Sequence, residues 1–433
     1  MNSRRRLADN VVSLFLLQGL TTLLPLLTVP YLVRTLGQNR FGALSFAVAT
    51  MQQLVVLTDF GFNFSATRYV AIHRDQPELV NRCFSAVMSA KLGLLFICGL
   101  ATAAGLVWVP KFHAEWPLFA VSFLMVVGNV LFPYWMFQGL ERLRFVAIAT
   151  SVARILLTGL IFVLVHGPQH TLRAALLQTS SFLVSAAISL PMLYAIFPLR
   201  PTLVGWHTIR EHMRESLHPF LANLMGTLIG SSSVMFLGFY KPLEVVGGFA
   251  AMEKVARAEV MGFTPVTQAL YPYVSHKFAR NHAEGRRSLL QATLILLGVA
   301  GLAMGLVAYF AHPLVRLAYG ARLLPYAHVL GWFNLWAFLS LANTMLGVHY
   351  LIGAGYANRF GKAVFLAAVV TVGLFLVLIP RTVTGGALTA VIAGEIVQVA
   401  MIVFSITKIE RGLASGGLRG TAEDSAITTE TTV

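Results

Sequence analysis

Four ionisable side chains fall within two turns of a single apolar stretch, AAMEKVARAEVMGFTPVTQALYPYVS: Glu253, Lys254, Arg257 and Glu259. Burying a charge against hydrocarbon is expensive, so such residues usually face a wet cavity or a charged partner. Glu253 and Arg257 are four apart and can pair on one helix face, with Lys254 beside Arg257. Two more cations interrupt apolar text, Lys91 in NRCFSAVMSAKLGLLFICGL and Arg154 in FVAIATSVARILLTGLIFVLV. Asp59 and Asn63 stand one turn apart in LTDFGFNFSATRYVA, before Arg68. This pattern points to holding and moving a charged species, with an excess of positive charge if Lys91, Arg154, Lys254 and Arg257 all face inward. Each also has a plainer reading. The Glu253–Glu259 group can sit in the headgroup zone, Lys91 can snorkel along its stem to the interface, and Asp59 can cap a helix end. His312, His328 and His349 have no metal-ligand spacing, and Cys83 and Cys98 lie too far apart along one helix to bridge.

The elements that carry these residues belong to a lipid bilayer. The chain of 433 residues is 57% hydrophobic and 11% charged, with a mean hydropathy of +0.74. Twelve continuously apolar stretches, each near the length that spans a hydrocarbon core as a helix, are expected at 11–33, 41–63, 83–108, 117–138, 145–165, 172–197, 218–239, 248–274, 288–310, 325–350, 361–380 and 384–406. The fold class is therefore all-α and polytopic. The net charge of +15 reflects orientation, not nucleic-acid binding, because Lys and Arg crowd alternate connectors, beginning with Arg4, Arg5 and Arg6. The positive-inside rule puts both termini in the cytoplasm. No connector is long enough for a soluble catalytic domain, which excludes an ATPase, glycosyltransferase or kinase and argues against an enzyme; no cofactor is expected.

The connector Leu199–Leu217 separates two blocks of six stretches, and from Trp206 onward it can form an amphipathic helix at the interface. FQGLERLRF and IGAGYANRF sit at equivalent places in the two blocks, as do LGQNRFGALSFA and YKPLEVVGGFAA. The expected organisation is an N-terminal lobe at 1–206, a C-terminal lobe at 207–410 and a polar tail at 411–433, with a central cavity between two lobes of the same orientation. Pro25 and Pro30 make the first stretch a bending element, and Gly262 and Pro265 offer a break in the eighth.

At QGLTTLLPLLTVPYLVRTLGQNRFGALSFA, followed by LTDFGFNFSATRYVA, the chain resembles the bacterial polysaccharide flippases, translocases of O-antigen and other lipid-linked oligosaccharides within the superfamily of multidrug and oligosaccharidyl-lipid exporters. The matching positions are Pro30, Tyr31, Leu32, Arg34, Leu36, Gly37, Phe41, Gly42, Asp59, Gly61, Phe62, Arg68 and Ala71. The resemblance implies that an undecaprenyl-diphosphate-linked glycan is turned over in the bacterial inner membrane, from the cytoplasmic to the periplasmic face, with coupling to a proton or sodium gradient. It also implies membrane lipids, a polysaccharide polymerase and glycosyltransferases as partners. On that reading Lys254, Arg257, Arg154 and Lys91 contact the diphosphate, Arg34 and Arg68 act near opposite mouths, and Asp59, Glu253 and Glu259 balance charge or carry the coupling ion. The rival readings are a multidrug exporter, whose site should favour acidic groups, and a membrane-embedded glycan ligase or polymerase, which should show a sizeable outer loop.

Overall fold

The computed structural model describes residues 24–414. The first part of the first expected stretch, Arg4, Arg5, Arg6 and the tail beyond 414 lie outside the described residues. The helices run in the order α1 (Leu24–Leu36), α2 (Gln38–Ile72), α3 (Pro77–Trp108), α4 (Trp116–Gly139), α5 (Leu143–Leu164), α6 (Pro168–Ile196), α7 (Trp206–Ser231, bent by 59° into Ser233–Tyr240), α8 (Leu243–Arg280), α9 (His282–Tyr309), α10 (Ala321–Ile352), α11 (Ala357–Leu378) and α12 (Gly385–Leu413). Among the described residues, nine of these are long and apolar enough to cross a membrane, and the bent α7 pair makes a tenth. The helix α8 is long enough at 38 residues but carries the charged cluster, and α1 is described over Leu24–Leu36. The protein is a multi-pass, helical membrane protein.

Two expectations about where helices break change with the structure. Trp206–Ser231 is one continuous helix through Pro219, so the segment expected as a separate interfacial helix is the first half of α7. The helix α8 also runs unbroken through Gly262, Pro265 and Pro272. A proline removes one backbone hydrogen bond, and a long helix packed along its length can absorb that loss. Besides the bend in α7, α2 is interrupted where Phe60 and Gly61 both take left-handed backbone angles, with φ of 43° and 75°. Gly61 also has α7 against it: a Cβ there would strike the backbone of Ser216 and Phe220. Around that contact Phe60 stacks on Phe220 at 4.5 Å, Ser65 Oγ meets Ser216 Oγ at 2.5 Å, and Arg82 donates to Thr208 Oγ1 at 3.1 Å. The first half of α7 therefore rests on the N-terminal helices α2 and α3, while the helix also packs on α11 of the C-terminal group.

At the opposite end the two groups of helices meet along α2 and α8. Gly42 and Gly247 face each other there, and a Cβ on either would enter the partner helix's backbone. Close approach through small residues is how helices associate in lipid. Polar bonds tie the same end across the groups. Gln38 donates to the Glu244 carbonyl at 2.9 Å, Lys111 Nζ donates to the carbonyls of Gly238 at 2.8 Å and Lys241 at 2.6 Å, and Arg34 donates to the Leu317 carbonyl. Replacing Gly247 by Val should force this seam apart at a cost of about 1–3 kcal/mol. Engineered cysteines at Gln38 and Glu244 should then cross-link more slowly than in the parent; unchanged cross-linking would show that the seam tolerates the added methyl groups.

Candidate functional site

Two connected pockets lie where the N-terminal and C-terminal helices face each other. One, of about 190 Å³, is bounded by Ser45 and Gln52 of α2, Gln178 of α6, Ser231 of α7, and Glu253, Lys254 and Arg257 of α8. The other, of about 180 Å³, is bounded by Pro25 and Thr28 of α1, Arg154 and Thr158 of α5, Gln178 and Ser181 of α6, and Lys254. Val29, Gln178 and Lys254 line both, so the two are lobes of one wet cleft. The cation expected from α5 and the cluster expected from α8 thus meet at one place, with Pro25 at the rim.

The cations in this cleft are in different electrostatic states. Arg257 donates to Glu253 Oε1 at 2.6 Å and to the Gly230 carbonyl, and its guanidinium lies 5.5 Å from the centre of the Trp336 ring. Glu253 is buried and also accepts from Ser233 Oγ at 2.9 Å, so Arg257 is held and largely neutralised. Lys254 and Arg154 make no hydrogen bond or ion pair among the described residues. Lys254 is exposed to the cleft and Arg154 is half-buried at its wall. One free cation therefore comes from each side, beside amide and hydroxyl groups of Gln52, Gln178, Thr28, Thr158 and Ser181. Such a set offers charge-assisted and neutral hydrogen bonds to an anion and requires no covalent chemistry.

The remaining expected residues lie elsewhere. Lys91 is 1% exposed and pairs with Asp59 Oδ1 at 3.0 Å, while Asn63 donates to the other Asp59 oxygen. This triad fastens α3 to the break in α2. Arg34 is exposed at the α2–α8 end, and Arg68 is exposed on the part of α2 beyond its break. Both Glu259 carboxylate oxygens are buried without a hydrogen-bond partner among the described residues. Pro30 lies within α1, and Gly262 has open space where a Cβ would stand.

A second cavity, of about 430 Å³, opens within the C-terminal helices between α7, α10, α11 and α12. Its acidic residue, Glu395, is buried and accepts from Asn343 Nδ2. Reasoning from the α8 cluster passes Glu395 over. The signal was available, because Glu395 is a lone carboxylate in the apolar run of GEIVQVAMIVF.

This chain's architecture and sequence both have relatives. A candidate O-antigen transporter of Escherichia coli (strain K12) is 28% identical over 410 residues, which cover 93% of this chain and 98% of that protein. A counterpart from Shigella dysenteriae is 28% identical over 373 residues, covering 83% and 90%. Among solved structures, the lipid II flippase MurJ in an inward closed conformation superposes with a TM-score of 0.71 at 12% identity, covering 92% of this chain and 87% of that one. An inward-facing multidrug resistance MATE family transporter of the MOP superfamily gives 0.68 at 16% identity, with 93% and 98% covered. An outward-facing one gives 0.56 at 18% identity, with 95% and 97% covered. The fold is thus that of the MurJ and MATE transporters, and with residues 7–278 matching the family described as polysaccharide biosynthesis protein, the chain belongs to that family.

Proposed function

We propose that this protein is a flippase that carries lipid-linked oligosaccharide repeat units across the bacterial inner membrane, from the cytoplasmic to the periplasmic face, during polysaccharide assembly. The observation that carries the reading is the cleft with one cation on each side, Arg154 and Lys254, that has no ion-pair partner among the described residues. A polyprenyl diphosphate glycan presents two negative phosphates, a neutral sugar head and a hydrocarbon tail. Taking the phosphates out of water requires replacement of their hydration, which Arg154 and Lys254 supply, with Gln52, Gln178 and the neighbouring hydroxyls left for sugar. The tail needs no polar route and stays in lipid. An anion held between the two groups of helices draws them together, so cargo and conformational change are linked through the same contacts. Both termini lie in the cytoplasm on this reading, and the residues 1–206 and 207–410 form the two moving lobes.

The similarity in sequence to O-antigen transporters and in fold to a lipid II flippase supports a lipid-linked glycan as cargo. The MATE likeness supports a drug exporter as the alternative. The free cations of the cleft disfavour that alternative, since a cationic drug would meet Arg154 and Lys254 as like charges. The deciding experiment places purified protein in sealed proteoliposomes with an undecaprenyl-diphosphate oligosaccharide and a glycan probe confined to one side. Protein-dependent exchange of the glycan between faces is the expected result. Absence of exchange under proton and sodium gradients alike, with cationic dyes moved instead, would replace the flippase reading by the exporter.

A further inference from the structure

The two lobes of the cleft differ in chemistry. The smaller is lined by Thr28, Arg154, Thr158 and Ser181 with the shared Gln178 and Lys254, and among the described residues no carboxylate faces it. The larger has Ser45, Gln52 and Ser231 and also Glu253 and Arg257. Arg257 is already committed there, since it donates to Glu253 Oε1 and to the Gly230 carbonyl. The Ser233 hydroxyl donates to the same Glu253 oxygen at 2.9 Å. The second oxygen, Oε2, has no hydrogen-bond partner among the described residues, although Glu253 is only 4% exposed and borders the lobe. A carboxylate oxygen only accepts, so Oε2 requires a hydroxyl or an amide N–H from whatever fills the lobe. Leaving such a buried acceptor without a donor is costly, and an occupant that brings none is disfavoured. Size and charge narrow the occupant further. The larger lobe, of about 190 Å³, is smaller than the roughly 300 Å³ at which a pocket encloses a drug-sized ligand, so it takes a single sugar ring and not a whole repeat unit. The two free cations, Arg154 and Lys254, match the two negative charges of a diphosphate diester and leave none over for a further anion. A carboxylate on the sugar would set a like charge against Glu253.

We propose that Glu253 is the specificity-determining residue of the cleft, reading the sugar joined to the diphosphate. The inference rests on the flippase reading above and adds the class of its cargo: a polyprenyl diphosphate whose first sugar is neutral, bearing hydroxyl or acetamido groups, and not a uronic acid. The diphosphate lies in the smaller lobe between Arg154 and Lys254. The first sugar lies in the larger lobe, where a hydroxyl or amide N–H donates to Glu253 Oε2. Ser45, Gln52 and Gln178, each a donor and an acceptor, have no hydrogen bond among the described residues and complete the contacts of the ring. Arg257 is the positioning residue, because its hold on Oε1 leaves Oε2 for the cleft. Sugars farther along the chain lie outside both lobes and are not read. A site built around a required hydrogen bond discriminates well, since a cargo that lacks the donor leaves the protein's own buried group unpaired.

The test measures binding to the full chain in detergent of three short-chain probes with the same diphosphate: prenyl diphosphoryl-glucose, prenyl diphosphoryl-glucuronic acid and a sugar-free prenyl methyl diphosphate. The two sugars differ only at C6, where one has a hydroxymethyl group and the other a carboxylate. The parent should bind the glucose probe about tenfold more tightly than either of the others. E253Q keeps an accepting oxygen and removes the charge, so the ratio of glucose to glucuronic acid affinity should fall to about twofold. Loss of the ion pair with Arg257 alone would shift all three probes together and leave that ratio as it was. Q52A, which leaves the ion pair intact, should lower the advantage of glucose over the methyl probe about fivefold. If E253Q does not fold, the ratio in the parent and the effect of Q52A decide the question. Equal affinity of the parent for the two sugar probes, a ratio unchanged in E253Q, or a glucose advantage undiminished in Q52A overturns this inference and leaves the flippase reading standing. Failure of the parent to bind any of the three overturns both.

Discussion

Replacing Lys254 by Ala should weaken binding of a diphosphate-linked glycan about tenfold or more, and replacing Arg154 and Lys254 together should weaken it by a factor on the order of several hundred. A hydrogen bond to a charged group contributes roughly 1.5–3 kcal/mol, and each 1.4 kcal/mol is a factor of ten. The two cations lie on opposite sides of the same cleft and neither makes a hydrogen bond or ion pair among the described residues, so both are available to the diphosphate. R257A should behave differently. Arg257 is held by Glu253, Gly230 and Trp336, and its removal leaves Glu253 buried beside Ser233 without its cation, so part of the loss will be in stability. Binding of a soluble prenyl diphosphate sugar, followed by exchange in proteoliposomes, separates these cases. Equal binding by the parent and the R154A/K254A double variant would remove the cationic cleft from the mechanism.

The second large effect is expected where the cleft is not involved. K91A should destabilise the protein by about 3–5 kcal/mol, because it strands the Asp59 carboxylate in a buried place; D59A should do the same to Lys91. The double replacement D59L/K91M, which removes both charges and keeps the volume, should recover most of that loss and retain binding of the diphosphate probe. A double-mutant cycle in thermal or denaturant unfolding in detergent measures this directly. If K91A folded as well as the parent but lost binding, Lys91 would belong to the cargo path after all.

These contrasts show what a charge in an apolar stretch does and does not reveal. Each such charge must find water or a partner, and that rule located Lys91, Arg154, Lys254 and Arg257 from the residue string alone. Their division into two kinds required the fold. Glu253 and Arg257 pair within one helix, so their spacing was sufficient. Asp59 and Lys91 are far apart in sequence and pair because the left-handed turn at Phe60 and Gly61 sets α2 against α3. The Asp-x-Gly-Phe text was legible as a motif, yet its use of Gly61 as a seat for α7 was not, since the colliding backbone belongs to residues 216 and 220. Gly262 and Pro265 gave the opposite lesson, because local breaker residues do not end a helix whose neighbours support it along its length.

By itself the sequence determined that this protein is built of apolar helices in a membrane, with its charges rationed. Hydropathy over some twenty residues is a local property, and lipid permits little else than a closed helix. The tertiary structure alone decided which cations remain free. Pairing of charges depends on distances of a few ångströms between helices remote in sequence, and neither charge nor hydropathy along the chain encodes those distances. That is why Arg154 and Lys254 meet in one cleft while Lys91 is locked to Asp59, and why Glu395, unremarked in the sequence, lies in a second cavity between α7, α10, α11 and α12.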